Sequence, residues 1–468
     1  MEIVETVETA ASVNAKPLEQ QEHDLVYQLD GKPRLRTAIP LGMQHVLAMF
    51  ASNLAPILLI AGACSLNGAD TIIMMQCAMF VSGLTTFIQL YPIRLGKRLR
   101  IGGNLPIVMG TSFAFVPTAT TVAATGGIGA VLGGCLLGSV SEVLIGVFYK
   151  YLRKFFPPLV VGSTLITIGI NLMSAGAGYF AGGVGSKDYG SIRNLSIAFL
   201  VLAIVVLLQR FGKGIFKSSA LLIAMVIGYL LCAFLGMVDT QAIMDAGWFS
   251  LPKPFHFKMT FSIPVTISFA ALYITSGLET IGNTSGITMA GFDREATETE
   301  TSGAILADAG GSILAACFNA LPNTAFGQNA GIVSMTKVVN KFCIATGAFI
   351  LMISGFIPKL GALFAAIPAP VLGGSIISVF SMIIINGIKM IAKAGFSERN
   401  VLILGVTFAL GLGLAKDPAA VAQLPSAIRF IFSDSVAATC IVAIILNLIF
   451  PIKDKEELEK AKAALLDS

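Results

Sequence analysis

Hydropathy divides the chain into long apolar stretches joined by short polar connections. A membrane helix needs about 20 mostly apolar residues. Twelve stretches qualify: 39–62, 70–91, 127–149, 158–177, 194–209, 218–238, 263–289, 302–319, 341–358, 368–388, 399–415 and 434–451. Two more, 104–116 and 324–336, are apolar but too short to span as ordinary helices. Counting them gives 14 segments, omitting them gives 12, and either even number returns both termini to one side.

Lysine and arginine choose between the two counts, because they gather in cytoplasmic loops. With 14 segments and the N-terminus inside, 24 of the 31 cations fall on the cytoplasmic side. Those outside are Lys187, Arg193, Lys253, Lys258, Lys359, Lys416 and Arg429. With 12 segments, the clusters at 94–100 and 150–154 share a side only if the chain between them re-enters or crosses twice. The pattern predicts an all-α polytopic membrane protein of 14 segments. Its transmembrane domain is expected over 37–452, between cytoplasmic polar tails at 1–36 and 453–468.

Composition agrees with that class. Of 468 residues, 55% are hydrophobic and 12% charged, with mean hydropathy +0.83. Soluble domains carry roughly a quarter charged residues. Forty-eight glycines suit closely packed membrane helices. The acid-rich first 36 residues lack a basic region followed by an apolar stretch, so no cleavable signal peptide is expected. Seven cysteines stand singly and read as small buried hydrophobes rather than a disulfide or metal framework. The formal charge of +5 belongs to loops and does not point to nucleic acid.

The two short segments resemble one another. Thr111-Ser-Phe-Ala-Phe115 aligns with Thr324-Ala-Phe-Gly-Gln328 at an offset of 213, and Pro158–Ser163 aligns with Pro370–Ser375 at 212. Two matches at nearly one offset indicate a duplicated seven-segment unit, and an odd unit makes the halves inverted. Interrupted segments at matching places in inverted halves point to a transporter's binding site.

Ionisable groups at membrane depth are costly and usually functional. His45, Glu142, Glu279 and Asp308 lie within the apolar stretches, and no mid-segment lysine or arginine neutralises them. A carboxyl without a counter-charge is suited to carrying a proton with a substrate. Glu279, near the middle of 263–289 with Thr275, Asn283 and Thr284, reads as a carboxyl lining a cavity and accepting a ring N–H. Asp308, among small residues, suits either proton relay or a helix–helix hydrogen bond. His45, near a helix entrance, fits a polar anchor or a neighbour of the site. Glu142 lies about two turns before the 150–154 cluster and is expected to snorkel or pair there. Gln328 offers a carbonyl and an amide to a heterocycle edge, and Gly327 and Gly331 let the backbone come close to a ligand. This chemistry reaches only to a small polar heterocycle or anion.

At these residues the chain resembles the nucleobase–ascorbate transporters, also called nucleobase:cation symporter-2. Their motif is Gln/Glu/Pro-Asn-x-Gly-x4-Thr-Arg/Lys/Gly, and Gln328-Asn329-Ala-Gly331-Ile-Val-Ser-Met-Thr336-Lys337 matches it throughout. Gln44-His45, Ser112-Phe113, Glu279 and Asp308 agree with the flanks. The resemblance runs from about 37 to 452 and implies inverted seven-segment repeats split into a core (about 37–156 and 263–360) and a gate (about 157–262 and 361–452). Substrate would lie between the short segments 3 and 10. Glu279 and Gln328 would bond the base, and backbone N–H groups near Phe113 and Gly327 would assist. Asn329 would shape the site, His45 would buttress it, and Asp308 would support proton coupling. Homodimers through the gate are common in such families. Gln328 resembles the purine-using members, whereas uracil carriers tend to have Glu there. Ser112, where some xanthine carriers have Asn, resembles members that accept uric acid. Asn283 replaces an Asp of xanthine carriers, which leaves one carboxyl fewer for proton coupling. The resemblance thus implies proton-coupled purine uptake, of xanthine or uric acid, across a bacterial inner membrane, with no cofactor or metal. An anion carrier of similar fold would place cations or helix N-termini at the site. An enzyme would need a nucleophile and base or clustered ligands, and a channel would need no titrating carboxyl.

Overall fold

The computed structural model describes residues 25–96, 99–152, 157–238 and 240–451. The tails, and Lys97, Arg98, Arg153 and Lys154 of the orientation count, lie outside the described residues. The helices are α1 (Leu35–Ala63), α2 (Gly68–Leu90), α3 (Val116–Val147), α4 (Pro158–Phe180), α5 (Ile192–Phe211), α6 (Ala220–Phe234) and α7 (Ile263–Phe292). They continue as α8 (Glu298–Cys317), α9 (Gly327–Thr336), α10 (Lys341–Ser354), α11 (Pro358–Ala365), α12 (Ala369–Ala394), α13 (Glu398–Lys416) and α14 (Ser435–Ile449). Strands are β1 (Ile93–Leu95), β2 (Leu99–Ile101), β3 (Met109–Thr111) and β4 (Asn323–Ala325).

Local chemistry sets many of these boundaries. Asn67, Ser191, Asn340, Ser397 and Asp434 cap helix starts by accepting from the first backbone amides. Thr297 and Glu300 form a reciprocal capping box at α8. Proline opens α4, α7, α11 and α12, where its missing N–H costs nothing.

Among the described residues, eight helices are long and apolar enough to cross a membrane; α10 and α11 make a ninth if their bent pair is one span. The chain is a multi-pass membrane protein. Its elements depart from the sequence expectation at three places. The segment 341–358 is not straight: α10 ends at Ser354 and α11 leaves at 82°, because Pro358 cannot continue the ladder of hydrogen bonds. The short segment 104–116 is extended over Met109–Thr111 and coils only from Phe113–Phe115, a 3-10 turn that runs into α3. Helix α3 then extends to Val147 with one break at Gly127, whose φ of 64° suits a residue without a Cβ. The all-α expectation is also amended by two small sheets, an exposed β1–β2 hairpin and a buried β3–β4 pair.

Helix α3 packs against both α7 and α8, α10 packs against α1 and α2, and α12 packs along α4 and α5. Between these helices β3 and β4 run antiparallel, with Met109 opposite Ala325, Gly110 opposite Thr324 and Thr111 opposite Asn323. Gly110 makes this crossing possible, since a Cβ there would stand 2.2 Å from the Phe326 ring and 2.7 Å from Met49.

Replacing Gly110 with alanine is therefore expected to cost about 1–3 kcal/mol, the range for overpacking a filled core. Fluorescence-detected size-exclusion after a temperature ramp measures the loss as a lowered apparent Tm.

Candidate functional site

The β3–β4 crossing carries exposed-backbone chemistry into the protein interior, where each amide and carbonyl needs a partner. Neighbouring helices supply side chains where the strands do not pair. The Thr111 N–H donates to Asn53 Oδ1 at 2.7 Å, and the Met109 N–H to Thr86 Oγ1 at 2.9 Å. Ser312 Oγ accepts from the Asn323 N–H at 3.1 Å and lies 3.2 Å from the Asn323 carbonyl. Asn323 Nδ2 donates to Thr85 Oγ1 at 3.0 Å. Flanking main-chain bonds close the frame: Ser112 N–H to the Pro322 carbonyl at 2.8 Å and Phe326 N–H to the Val108 carbonyl at 2.9 Å.

From this frame two helical starts emerge, one at Phe113 and one at Gly327. Buried Ser112 caps the first, its Oγ accepting from the Ala114 N–H at 3.2 Å. The Phe113 ring meets Phe380 of α12 edge-on, with centroids 5.5 Å apart and an interplanar angle of 80°. At the second start, Phe326 provides no side-chain cap, and its carbonyl takes the N–H groups of Asn329 and Ala330. The amides of Gly327 and Gln328 are left without a backbone acceptor among the described residues. Gly327 and Gln328 are exposed, so this polar end is accessible.

Helix α7 approaches the same point. Asn283 Nδ2 donates to the Ala325 carbonyl at 2.7 Å, and its Oδ1 lies 3.3 Å from where a Gly327 Cβ would stand. Glu279 is one turn earlier on α7, on the same face. It is half-buried, and its carboxyl has no hydrogen bond to another described residue. Asn283 is thus an amide donor that anchors the end of β4.

Asn329 and His45 are brought together. Asn329 Nδ2 lies 3.1 Å from His45 Nδ1 and 3.1 Å from the His45 carbonyl, both residues buried. The Asn329 carboxamide thus holds both the ring and the main chain of His45. Asp308, fully buried on α8, accepts from the Thr280 hydroxyl of α7, and Ser276 Oγ lies 3.5 Å from the same carboxylate oxygen. Ser276 Oγ is also 3.5 Å from Thr324 Oγ1 on β4.

Glu142 requires a correction. It is 0% exposed and does not snorkel; both its oxygens are buried without a hydrogen-bond partner, while Lys150 is exposed. The helix face carrying Glu142 is turned inward by the packing of α3 against α7, and Glu142 Oε1 lies 3.6 Å from the Cβ position of Gly277.

Asn53, Thr86, Ser312 and Asn323 were not singled out from sequence, because the search there followed ionisable groups. The signal was present as amides and hydroxyls within apolar stretches, with Ser82, Thr85, Thr86 and Gln89 along one face of α2. A cavity of about 250 Å³ opens beside the start of α3, lined among others by Val116, Thr120, Asn171, Lys416 and Asp434. Glu279 and Gln328 do not line it.

Residues 36–420 match the profile of the permease family designated Xan_ur_permease. A putative purine permease of Clostridium perfringens is 36% identical, the match covering 92% of this chain and 94% of that protein. The xanthine permease of Bacillus subtilis is 34% identical over 92% of this chain and 97% of its own length. Among solved structures, the murine solute carrier 26 member A9 anion transporter in its inward-facing state superposes with a TM-score of 0.64 at 11% identity. That match covers 94% of this chain and 72% of the carrier, and it is a likeness of fold alone.

Asn329→Ala removes the donor shared by two His45 acceptors and leaves both buried. The expected cost is about 1–3 kcal/mol, measured as a lowered denaturation midpoint of the purified protein.

Proposed function

Because this chain belongs to the Xan_ur_permease family of nucleobase–ascorbate transporters, we propose that it is a proton-coupled symporter for an oxidised purine, xanthine or uric acid. The observation that carries the reading is the meeting of two helix starts and α7 at one crossing, with Asn283 bonded to Ala325 between Glu279 and Gln328. In this reading, Glu279 accepts a ring N–H of the base and the Gln328 amide matches its adjoining donor–acceptor edge. The free amides at Gly327 and Gln328, at a helix N-terminus, suit the carbonyl oxygens that oxidation adds to the ring. Phe113 closes the ring face, with Ser112 behind it and Asn329 and His45 holding the Gln328 turn in place.

The architecture proposed for this cycle has 14 segments in two inverted halves, the broken segments being 3 and 10. A core containing α1–α3 and α7–α11 would move against a gate containing α4–α6 and α12–α14, in an inner membrane with both termini cytoplasmic. A homodimer would form through the gate. Gln328 and the purine and xanthine permeases among the relatives favour a purine over uracil. The hydroxyl at Ser112 leaves room for the extra oxygen of uric acid.

Uptake of labelled xanthine by intact cells, competed by a panel of purines and pyrimidines and repeated with a protonophore, tests the assignment. Inhibition by uric acid but not uracil, and collapse with the protonophore, are expected. Uracil as the strongest competitor would replace the purine reading, and protonophore-insensitive accumulation would remove the proton. Glu279→Gln is expected to lower active uptake by roughly tenfold or more at normal membrane abundance. Ser112→Asn should lower the preference for uric acid over xanthine, read from the ratio of their inhibition constants.

A further inference from the structure

The buried carboxyl of Glu142 has no role in the site as described. It projects from α3 where that helix is packed between α7 and α8. Neither of its oxygens has a hydrogen-bond partner, and Oδ1 of Asp308 is in the same condition. The other Asp308 oxygen is bonded by Thr280 and approached by Ser276. Gly277, one residue after Ser276, faces Glu142: Oε1 and Cγ lie 3.6 and 3.8 Å from the position a Cβ would take, ordinary contact distance.

The titratable groups acting on Glu142 are Asp308 of α8 and, more weakly, Glu279 of α7. Tyr273 of α7 is a further titratable neighbour among the described residues, and its hydroxyl donates to the Cys135 carbonyl at 2.9 Å. No lysine or arginine is among these groups, and the described residues contain no metal-ligand cluster. Two neighbouring carboxylates that are both fully buried, with no lysine or arginine among the described groups acting on them, repel each other at low dielectric. One proton shared between them removes most of that repulsion. The unpartnered oxygens on both acids mark where such a proton has acceptors.

The pair is also wired to the crossing. Ser276 Oγ stands 3.5 Å from both Asp308 Oδ2 and Thr324 Oγ1, and Thr280 follows Glu279 directly in the chain. A change in charge on the pair therefore acts on β4 and on the turn of α7 that bears Glu279.

We propose that Glu142 and Asp308 together hold the coupling proton, so that Glu142 is a second, buried acid of the transport cycle. The inference rests on the proton-symport reading and extends it from the substrate carboxyl to a separate pair. Loading adds one proton to two carboxylates and changes their charge from −2 to −1. Unloading returns that proton to the other side of the membrane, and no bond to the purine forms or breaks.

The test uses the full chain in proteoliposomes with labelled xanthine, an imposed pH gradient and internal xanthine for exchange. Wild-type accumulation should follow the pH gradient and persist when choline replaces sodium. Indifference to the gradient would remove the symport reading itself, and a sodium requirement would overturn the proton pair. With the wild type coupled, Glu142→Gln is expected to lose gradient-driven accumulation by about tenfold or more while xanthine exchange stays within about threefold of wild type. Accumulation and a pH profile matching wild type would overturn the proposal and leave the symport reading standing. Loss of exchange and accumulation in equal measure would also overturn it, assigning Glu142 to packing. If the Gln variant does not reach the membrane, Glu142→Asp decides. It keeps the acid but moves it by a methylene, so accumulation should survive with the pH optimum displaced by about half a unit or more. An undisplaced profile would overturn the pair.

Discussion

A peptide group inside a membrane protein must find its hydrogen bonds within the protein, and the whole centre of this molecule answers that requirement. Where β3 and β4 interrupt the helices, strand pairing supplies some partners and Asn53, Thr86 and Ser312 supply others. The satisfied frame is what allows two helices to begin in the interior with unspent amides. Helix α7 is tied to this frame through Asn283, one turn after Glu279.

Much of this was legible in the chain. The short stretches 104–116 and 324–336 announced interruptions by their length, and the structure has β3 and β4 within them. Their antiparallel pairing joins the residues that the offset aligned, Thr111 and Thr324 standing at adjacent rungs. The Gln328–Lys337 motif placed the chain in its family, and the profile match over 36–420 agrees. What hydropathy could not give was the direction of a single side chain on an apolar helix. Glu142 lies near basic residues in sequence, but α3 turns it toward Gly277. The bend between α10 and α11 was hidden for a related reason. Both halves are apolar, and the turn depends on where Pro358 falls relative to its neighbours.

The likeness to an anion transporter clarifies what the architecture does and does not determine. One scaffold with interior helix starts accommodates different cargo, because the starts supply partial positive charge and the side chains supply selectivity. In the proposed function, the selecting side chains are the carboxyl of Glu279, the carboxamide of Gln328 and the ring of Phe113, a set suited to a flat base.

The contact between Phe113 and Phe380 has a consequence for selectivity. Phe113 belongs to the turn at the start of α3 and Phe380 to α12, and their edge-to-face contact lies inside one continuous buried apolar cluster. In the proposed movement of core against gate this contact has to slide or break, so a base that binds while holding the two rings together would occupy the site without being carried.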